Sequence, residues 1–228
     1  MNCKIAIIMP ALNEEKSIEY LIDEIPKNLI SQIVVVDNGS TDETAIIAEK
    51  KGAIVVEETK RGYGNACLKG IEYLEENPPS IVVFLDADYS DNPQYLHALI
   101  NPIAEKKADL VLGSRIKKGE SRGELSFHVY AANIFFSKLI NFFYGLNLTD
   151  LGPFRAISWK TLKSLDMSSK TYGWSAEMIV KAAKFGIKIS EVNVGFRKRI
   201  GKSKISGSIK SSLIAVLHIF YNIFKFRL

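Results

Sequence analysis

The sequence predicts an α/β fold, a mostly parallel sheet with helices on both faces, followed by a C-terminal amphipathic helix. Three observations predict it. Short apolar runs recur through the first 115 residues, and segments with apolar residues at helical spacing follow them. Polar clusters close the first, second and fourth of these runs. The runs are continuously apolar rather than alternating, as expected of strands covered on both faces.

Residues 4–9 (KIAIIM) are the first strand, and Ile18, Leu21, Ile22, Ile25 and Leu29 then recur at helical spacing. Residues 33–36 are the second strand. Ser40 and Glu43 follow in a capping-box pattern, opening a helix that stops near Gly52. Residues 54–56 are the third strand, and 64–76 a helix with Leu68, Ile71 and Leu74 on one face. The fourth strand is 81–85, Pro93 stands near the start of another helix, and 110–112 is the fifth strand. The second half is less regular. Residues 127–144 form a helix whose wide apolar face includes Phe135, Phe136, Leu139, Ile140, Phe142 and Phe143, suited to core or to lipid. Residues 154–157 read as a strand, 174–185 as a helix and 188–196 as a strand. A basic loop, 197–210, leads into the final helix. The expected organisation is a catalytic domain over 1–207 and an amphipathic membrane-associating helix over 208–228.

With 228 residues, 47% hydrophobic and 24% charged, the chain suits one folded domain rather than a disordered one. Cys3 and Cys67 have neither metal-ligand spacing nor a disulfide framework, which fits reduced thiols in the cytoplasm. Lys4 is followed by only five apolar residues before Pro10, unlike a signal peptide. The longest late apolar stretch, 211–224, contains His218 and Asn222 and falls short of the roughly 18 residues a spanning helix needs. His97, His128 and His218 are isolated and are assigned no metal role. The net charge of +5 divides unevenly: residues 1–110 hold 10 Lys/Arg and 19 Asp/Glu, residues 111–228 hold 20 and 6. After Glu191 eight basic residues follow and no acidic one. An anionic partner is implied: nucleic acid, a membrane surface or a phosphorylated substrate. Basic residues alternate there with large apolar ones, which weighs against a merely solvated tail; the expected partner is an anionic membrane surface, and no nucleic acid is expected.

Ligands of an open parallel sheet bind beyond the carboxyl ends of its strands. Three polar clusters fall there: Pro10-Ala11-Leu12-Asn13-Glu14-Glu15, Asp37-Asn38-Gly39-Ser40-Thr41-Asp42 and Asp86-Ala87-Asp88. Asp86 and Asp88, two apart on extended backbone, point to the same side. Paired hard oxygens suit Mg²⁺ or Mn²⁺ shared with substrate phosphates, and such a cation offsets the charge of a departing nucleoside diphosphate. A lone D-x-D also occurs by chance in exposed turns; its place behind an apolar strand carries the reading. Asp37 can accept from nucleobase N–H groups or cap the following helix. Arg61, Gly62 and Gly64 open a helix where close backbone approach, the helix N-terminus and two cations favour phosphate. Gly62-x-Gly64 is a poor dinucleotide fingerprint, since the third glycine is missing and it follows the third strand.

The chain resembles family 2 glycosyltransferases of the GT-A nucleotide-sugar fold, in the branch of dolichyl-phosphate mannose and polyprenyl-phosphate glucose synthases. The resemblance rests on the three clusters above with Gly113-Ser114-Arg115, Asp150-Leu151-Gly152-Pro153-Phe154-Arg155 and Arg199-Ile200-Gly201-Lys202-Ser203-Lys204. It implies that Pro10, Ala11, Asn13, Glu14 and Asp37 hold base and ribose, and that Asp86, Ala87 and Asp88 meet the diphosphate and metal. It implies that Arg115 and Arg155 face donor or acceptor phosphates while the 199–204 loop, with Arg199, Lys202, Ser203 and Lys204, closes over them. Two departures stand out. Ser90, beside Asp91, replaces the Gln usual in mannose synthases, and Gly-Pro-Phe-Arg replaces Gly-Ser-Phe-Arg. The resemblance implies an inverting, metal-dependent hexosyl transfer from a UDP- or GDP-linked donor to a polyprenyl or dolichyl phosphate, peripheral on the cytosolic membrane face. Its rivals are the same chemistry on a hydroxyl acceptor, with Glu177 as candidate base, a nucleotidyltransferase, and a non-catalytic adaptor.

Overall fold

A computed structural model describes residues 3–116, 127–201 and 209–226. The first four apolar runs become β1 (Ile5–Ala11), β2 (Gln32–Asp37), β3 (Ile54–Glu57) and β4 (Ile81–Phe84). They are followed by α1 (Ile18–Glu24), α2 (Thr44–Lys50), α3 (Tyr63–Leu74) and, after a 3-10 turn at Pro93–Tyr95, α4 (Leu96–Ala104). β5 (Leu110–Ser114) precedes α5 (Phe127–Tyr144), β6 (Arg155–Ser158), α6 (Trp159–Ser164), α7 (Trp174–Lys184), β7 (Ile189–Asn193) and α8 (Ile209–Lys225). The seven strands form one sheet in the order β3-β2-β1-β4-β6-β5-β7. The sheet is mostly parallel; β6 lies antiparallel between β4 and β5, with Arg155 opposite both Phe84 and Leu112.

The central strands feed two cores at once. Ala6 and Ile8 enter one apolar cluster, Ile5, Ile7 and Met9 the other, and Val34 and Val36 are divided from Val35 in the same way. Because helices cover both faces, successive residues all leave water and the run reads as unbroken apolar sequence. Each buried Val, Ile or Phe contributes on the order of 1.5–3 kcal/mol. A one-residue slip would exchange the two faces, so packing holds the register.

The expected capping box is not formed. Ser40 Oγ accepts from the Asn13 N–H at 2.9 Å, and Asp42 Oδ1 accepts from the Thr44 N–H at 3.1 Å at the start of α2. The hydroxyl is drawn to the neighbouring strand-end loop, a competition invisible to a local pattern.

α8 packs against α5 and α7. Ile223 is fully buried, Tyr144 Oη donates to Ile223 O at 2.6 Å, and Phe136 and Phe143 meet Phe220 and Phe224 edge-on. Helical spacing puts Ile209, Leu213, Val216, Leu217, Phe220 and Phe224 on one candidate lipid face. Val216 and Phe220 instead pack against the core, while Ile214, Leu217, Tyr221 and Phe224 are exposed beside Phe135 and Phe142. The side chains of Ile209 and Leu213 are outside the described part of the structure. Contact with two helices turns the stripe partly inward, which periodicity alone does not register. Among the described residues no helix is long and apolar enough to cross a membrane.

Candidate active site

A cleft of about 330 Å³ opens at the carboxyl ends of β1, β2 and β4. Pro10, Ala11, Leu12 and Glu14 line it from the end of β1, and Asn38 from the end of β2. Arg61, Gly62, Tyr63 and Ala66 come from the start of α3, and Asp86, Ala87 and Asp88 from the segment after β4. Thr171, Tyr172 and Arg199 complete the wall from distant parts of the chain.

Side-chain amides hold these loops together. Asn13, at a φ of 53° that asparagine tolerates, accepts from the Thr41 N–H through Oδ1 at 2.8 Å. Asn38 Nδ2 donates to Glu58 O at 2.9 Å and Lys60 O at 2.8 Å, and its Oδ1 accepts from the Gly62 N–H at 2.8 Å. Asn38 therefore sets the path of the segment that carries Arg61. Asp37 is nearly buried and its Oδ1 accepts from the Ser40 N–H at 3.0 Å, the turn-closing alternative to base contact. Neither Asn13 nor Asp37 lines the cleft.

Gly62 and Gly64 serve packing where phosphate approach was expected. A Cβ at Gly62 would stand 2.2 Å from Lys170 O, and one at Gly64 1.9 Å from Ser169 O, so only glycine admits the 168–172 segment. The α3 N-terminus is occupied as well, since the Asn65 N–H donates to Lys170 O at 3.0 Å. Arg61 remains on the cleft wall.

The acidic cluster is the most charged part of the wall. Tyr63 Oη donates to Asp86 Oδ1 at 3.0 Å, the Ser90 N–H to Asp88 Oδ1 at 2.9 Å, and the Asp86 N–H to Asp91 Oδ2 at 3.3 Å. Asp91 Oδ1 is buried without a hydrogen-bond partner. Burial and the neighbouring Asp88 charge raise the Asp86 carboxyl to about 7, although Arg199 and Arg115 act against the shift. Burial, with the charges of Asp86 and Asp88, also pushes Asp91 well above the usual carboxylate range. Among the described residues no group of three or more His, Cys, Asp or Glu side chains is arranged as a complete metal shell. Asp86 and Asp88 both line the cleft, and paired carboxylate oxygens are the donor type that suits a divalent cation. Asp91 and Ser90 support the two aspartates rather than open onto the cleft.

The basic residues divide. Arg199 pairs with Asp88 Oδ2, and the Ile200 N–H donates to Asp88 O at 3.0 Å, bringing the start of the 199–204 loop onto the cleft. Lys202, Ser203 and Lys204 lie outside the described residues. Arg115 makes a two-point contact with buried Asp150, at 2.7 and 2.8 Å, and lies 5.2 Å from the Phe196 ring. Arg155, expected to face phosphate, is 1% exposed and does not line the cleft. Its guanidinium donates to the carbonyls of Ser175, Leu151 and Gly152, because β6 inserts its first residue into the middle of the sheet. Glu177 is fully buried, accepts from Ser168 and Ser169, and pairs with Lys181 at 2.8 Å. Trp174 is core, edge-on to Phe84.

Asn38 and Tyr63 were within reach of sequence reasoning, one inside a strand-end cluster and the other between two glycines. Thr171 and Tyr172 carry no local signal; tertiary folding alone brings them to the cleft.

Comparison with known proteins agrees with this architecture. The sequence profile of glycosyl transferase family 2 matches residues 6–165. An undecaprenyl-phosphate mannosyltransferase of Micrococcus luteus is 32% identical over 228 aligned positions, covering 90% of this chain and 89% of that protein. A dolichyl-phosphate hexose transferase of Haloferax volcanii is 33% identical over 205, covering 88% and 86%. Glucosyl-3-phosphoglycerate synthase of Mycobacterium tuberculosis, crystallised with Mn²⁺, UDP-glucose and phosphoglyceric acid, shares the fold with a TM-score of 0.77 at 24% identity. That superposition covers 98% of this chain and 79% of the other. With most of the cleft inside the matched region and relatives aligned along most of their length, the chain belongs to glycosyl transferase family 2 and is a GT-A glycosyltransferase.

Proposed function

We propose that this enzyme transfers a hexose, with inversion, from a UDP- or GDP-linked donor to a polyprenyl or dolichyl phosphate at the cytosolic face of a membrane. The observation that carries the choice of acceptor is Glu177. A hydroxyl acceptor needs a base, worth about 10²–10⁴ in rate, and Glu177 is fully enclosed, held by Ser168, Ser169 and Lys181. A phosphate acceptor, with a second pKa of about 6, is already an anionic nucleophile at neutral pH. The names of the Micrococcus and Haloferax relatives, which specify undecaprenyl and dolichyl phosphate, support the same class.

In this reading Pro10, Ala11, Leu12, Glu14 and Asn38 surround base and ribose, and Arg61 and Arg199 meet the diphosphate. Asp86 and Asp88 hold Mg²⁺ or Mn²⁺, which supplies charge compensation for the leaving diphosphate when bound. Asn13 and Asp37 act by setting the loops. Arg115, paired with Asp150 and outside the cleft lining, is assigned to the acceptor phosphate, and Arg155 holds the Gly152 turn through its carbonyl. The exposed apolar side chains of α5 and α8 rest in the lipid interface.

The test is a screen of radiolabelled UDP- and GDP-hexoses, with Mg²⁺ or Mn²⁺, against undecaprenyl phosphate, dolichyl phosphate and hydroxyl glycosides, run beside Glu177→Gln. Label is expected in the lipid phosphate. The kcat of Glu177→Gln is expected to fall less than about tenfold, while removing one partner of a buried pair lowers its stability by about 3–5 kcal/mol. Transfer to hydroxyls alone, with a thousandfold loss in Glu177→Gln at unchanged stability, would overturn the proposal.

A further inference from the structure

The wall formed by Thr171 and Tyr172 belongs to neither the strand-end clusters nor the metal-binding pair, and its supports are unusual. Glu177 holds the start of the segment through Ser168 and Ser169, at 2.9 and 2.6 Å to their N–H groups. The start of α3 presses on its middle, where Gly62 and Gly64 leave room only for the Ser169 and Lys170 carbonyls. The residues that reach the cleft are held from elsewhere: Thr171 Oγ1 lies 2.7 Å from Nδ1 of His218 on α8. α8 also closes on the end of the segment. A Cβ at Gly173 would stand 2.1 Å from Asn222 Nδ2 and 3.2 Å from His218 O, and Asn222 Nδ2 itself donates to His218 O at 2.9 Å. Glycine at 173 and the polar pair on α8 therefore make a fitted joint between this helix and the cleft wall.

We infer that His218 is a positioning residue for the nucleotide-sugar donor: from α8 it sets Thr171, and with it the Thr171–Tyr172 wall. The inference rests on reading the cleft as the donor site. It gives α8 two faces with two tasks. His218 and Asn222 face the catalytic domain, and Leu217 and Tyr221, one position before each, are exposed on the other side. Adjacent helical residues diverge by about 100°, so one helix can serve the cleft and the interface together.

The experiment is titration of UDP and of GDP, with Mn²⁺ present, into the full chain, together with donor KM and kcat. In His218→Ala the nucleotide Kd and donor KM are expected to rise about fivefold, the weight of one hydrogen bond, with kcat within about twofold. His218→Asn, whose amide reaches the place of Nδ1, is expected to restore most of the affinity. Thr171→Val is expected to match His218→Ala, and the double variant to cost no more than either, the mark of one shared contact. An unchanged Kd in His218→Ala, or additive losses in the double variant, would overturn the inference while leaving the donor site standing. If His218→Ala does not fold, an unchanged Kd in Thr171→Val overturns it instead. Failure of the wild-type chain to bind either nucleotide would overturn both the donor-site reading and this inference.

Discussion

Asp88 joins two parts of the site: its side chain meets Ser90 and Arg199, and its carbonyl meets Ile200. An amide there keeps the shape and loses the charge that attracts a cation. Asp88→Asn is expected to abolish transfer while leaving the melting temperature within a few degrees, since Asn can still accept from the Ser90 N–H. Turnover with EDTA and with each metal restored is the check; wild-type activity indifferent to EDTA would remove the cation from the mechanism. Asp150 poses a different question. Burial pushes its carboxyl up, but the charge and hydrogen bonds of Arg115 outweigh burial and leave it below the usual range. A depressed carboxylate contributes stability above its unfolded pKa, near 4, and loses it as pH falls through the folded value. Asp150→Asn is expected to lower stability by about 3–5 kcal/mol at pH 7. In urea titrations across pH, its deficit relative to wild type should shrink on acidification below about pH 4; a pH-independent deficit would mean the ion pair contributes nothing. At this scale the acidic pair could be read from its place behind an apolar strand, although β4 ends at Phe84 and a turn at residues 87–88, not the expected extended backbone, carries both aspartates to the cleft. The fates of Arg155 and Glu177 could not, because burial depends on what β6 and α7 pack against.

Among the elements, β1 to β5 were legible because strands covered on both faces must be continuously apolar, and their bounds agree within two residues. The β6 strand was legible as a strand but not in its place. Its insertion between β4 and β5 joins residues more than forty positions apart in sequence and carries Arg155 into the sheet. α8 was legible as amphipathic, yet its lipid-facing stripe was assigned by period, and contact with α5 and α7 turned Val216 and Phe220 inward. Two expectations follow for this element. Removal of residues 211–228 should cost folding as well as membrane binding, because Asn222 and Ile223 are buried and Tyr144 bonds to Ile223 O. Leu217→Gln with Phe142→Gln should instead leave stability within about 0.5 kcal/mol per site, because Leu217 is 58% and Phe142 81% exposed. Liposome co-sedimentation should then drop severalfold while nucleotide affinity holds; unchanged pelleting would exclude this face as the lipid contact.

Across the whole molecule, charge is divided between halves: 19 acidic and 10 basic residues up to position 110, then 6 acidic and 20 basic. Basic residues near an anionic surface contribute about 1 kcal/mol each, within a screening length of about 10 Å at 0.1 M salt and about 3 Å at 1 M. Binding to vesicles containing anionic lipid is therefore expected to weaken at least tenfold between 0.05 and 0.5 M salt, and binding to zwitterionic vesicles to be weak throughout. Equal, salt-insensitive binding to both would leave the apolar face as the whole attraction. What the sequence by itself determined was whatever repeats locally or accumulates by composition: the α/β class, the order of strands and helices up to β5, the acidic pair behind β4, and the basic second half. Those follow from apolar periodicity, position at a strand end and counted charge, each readable without knowing what lies opposite. Only the tertiary structure decided which polar groups reach the cleft. It buried Arg155 and Glu177, spent Gly62 and Gly64 on the Ser169 and Lys170 carbonyls, and brought Thr171, Tyr172 and Arg199 to Asp86 and Asp88. Whether a side chain meets solvent, a carbonyl or a ligand depends on its neighbours in space, and here those neighbours come from helices and loops far along the chain.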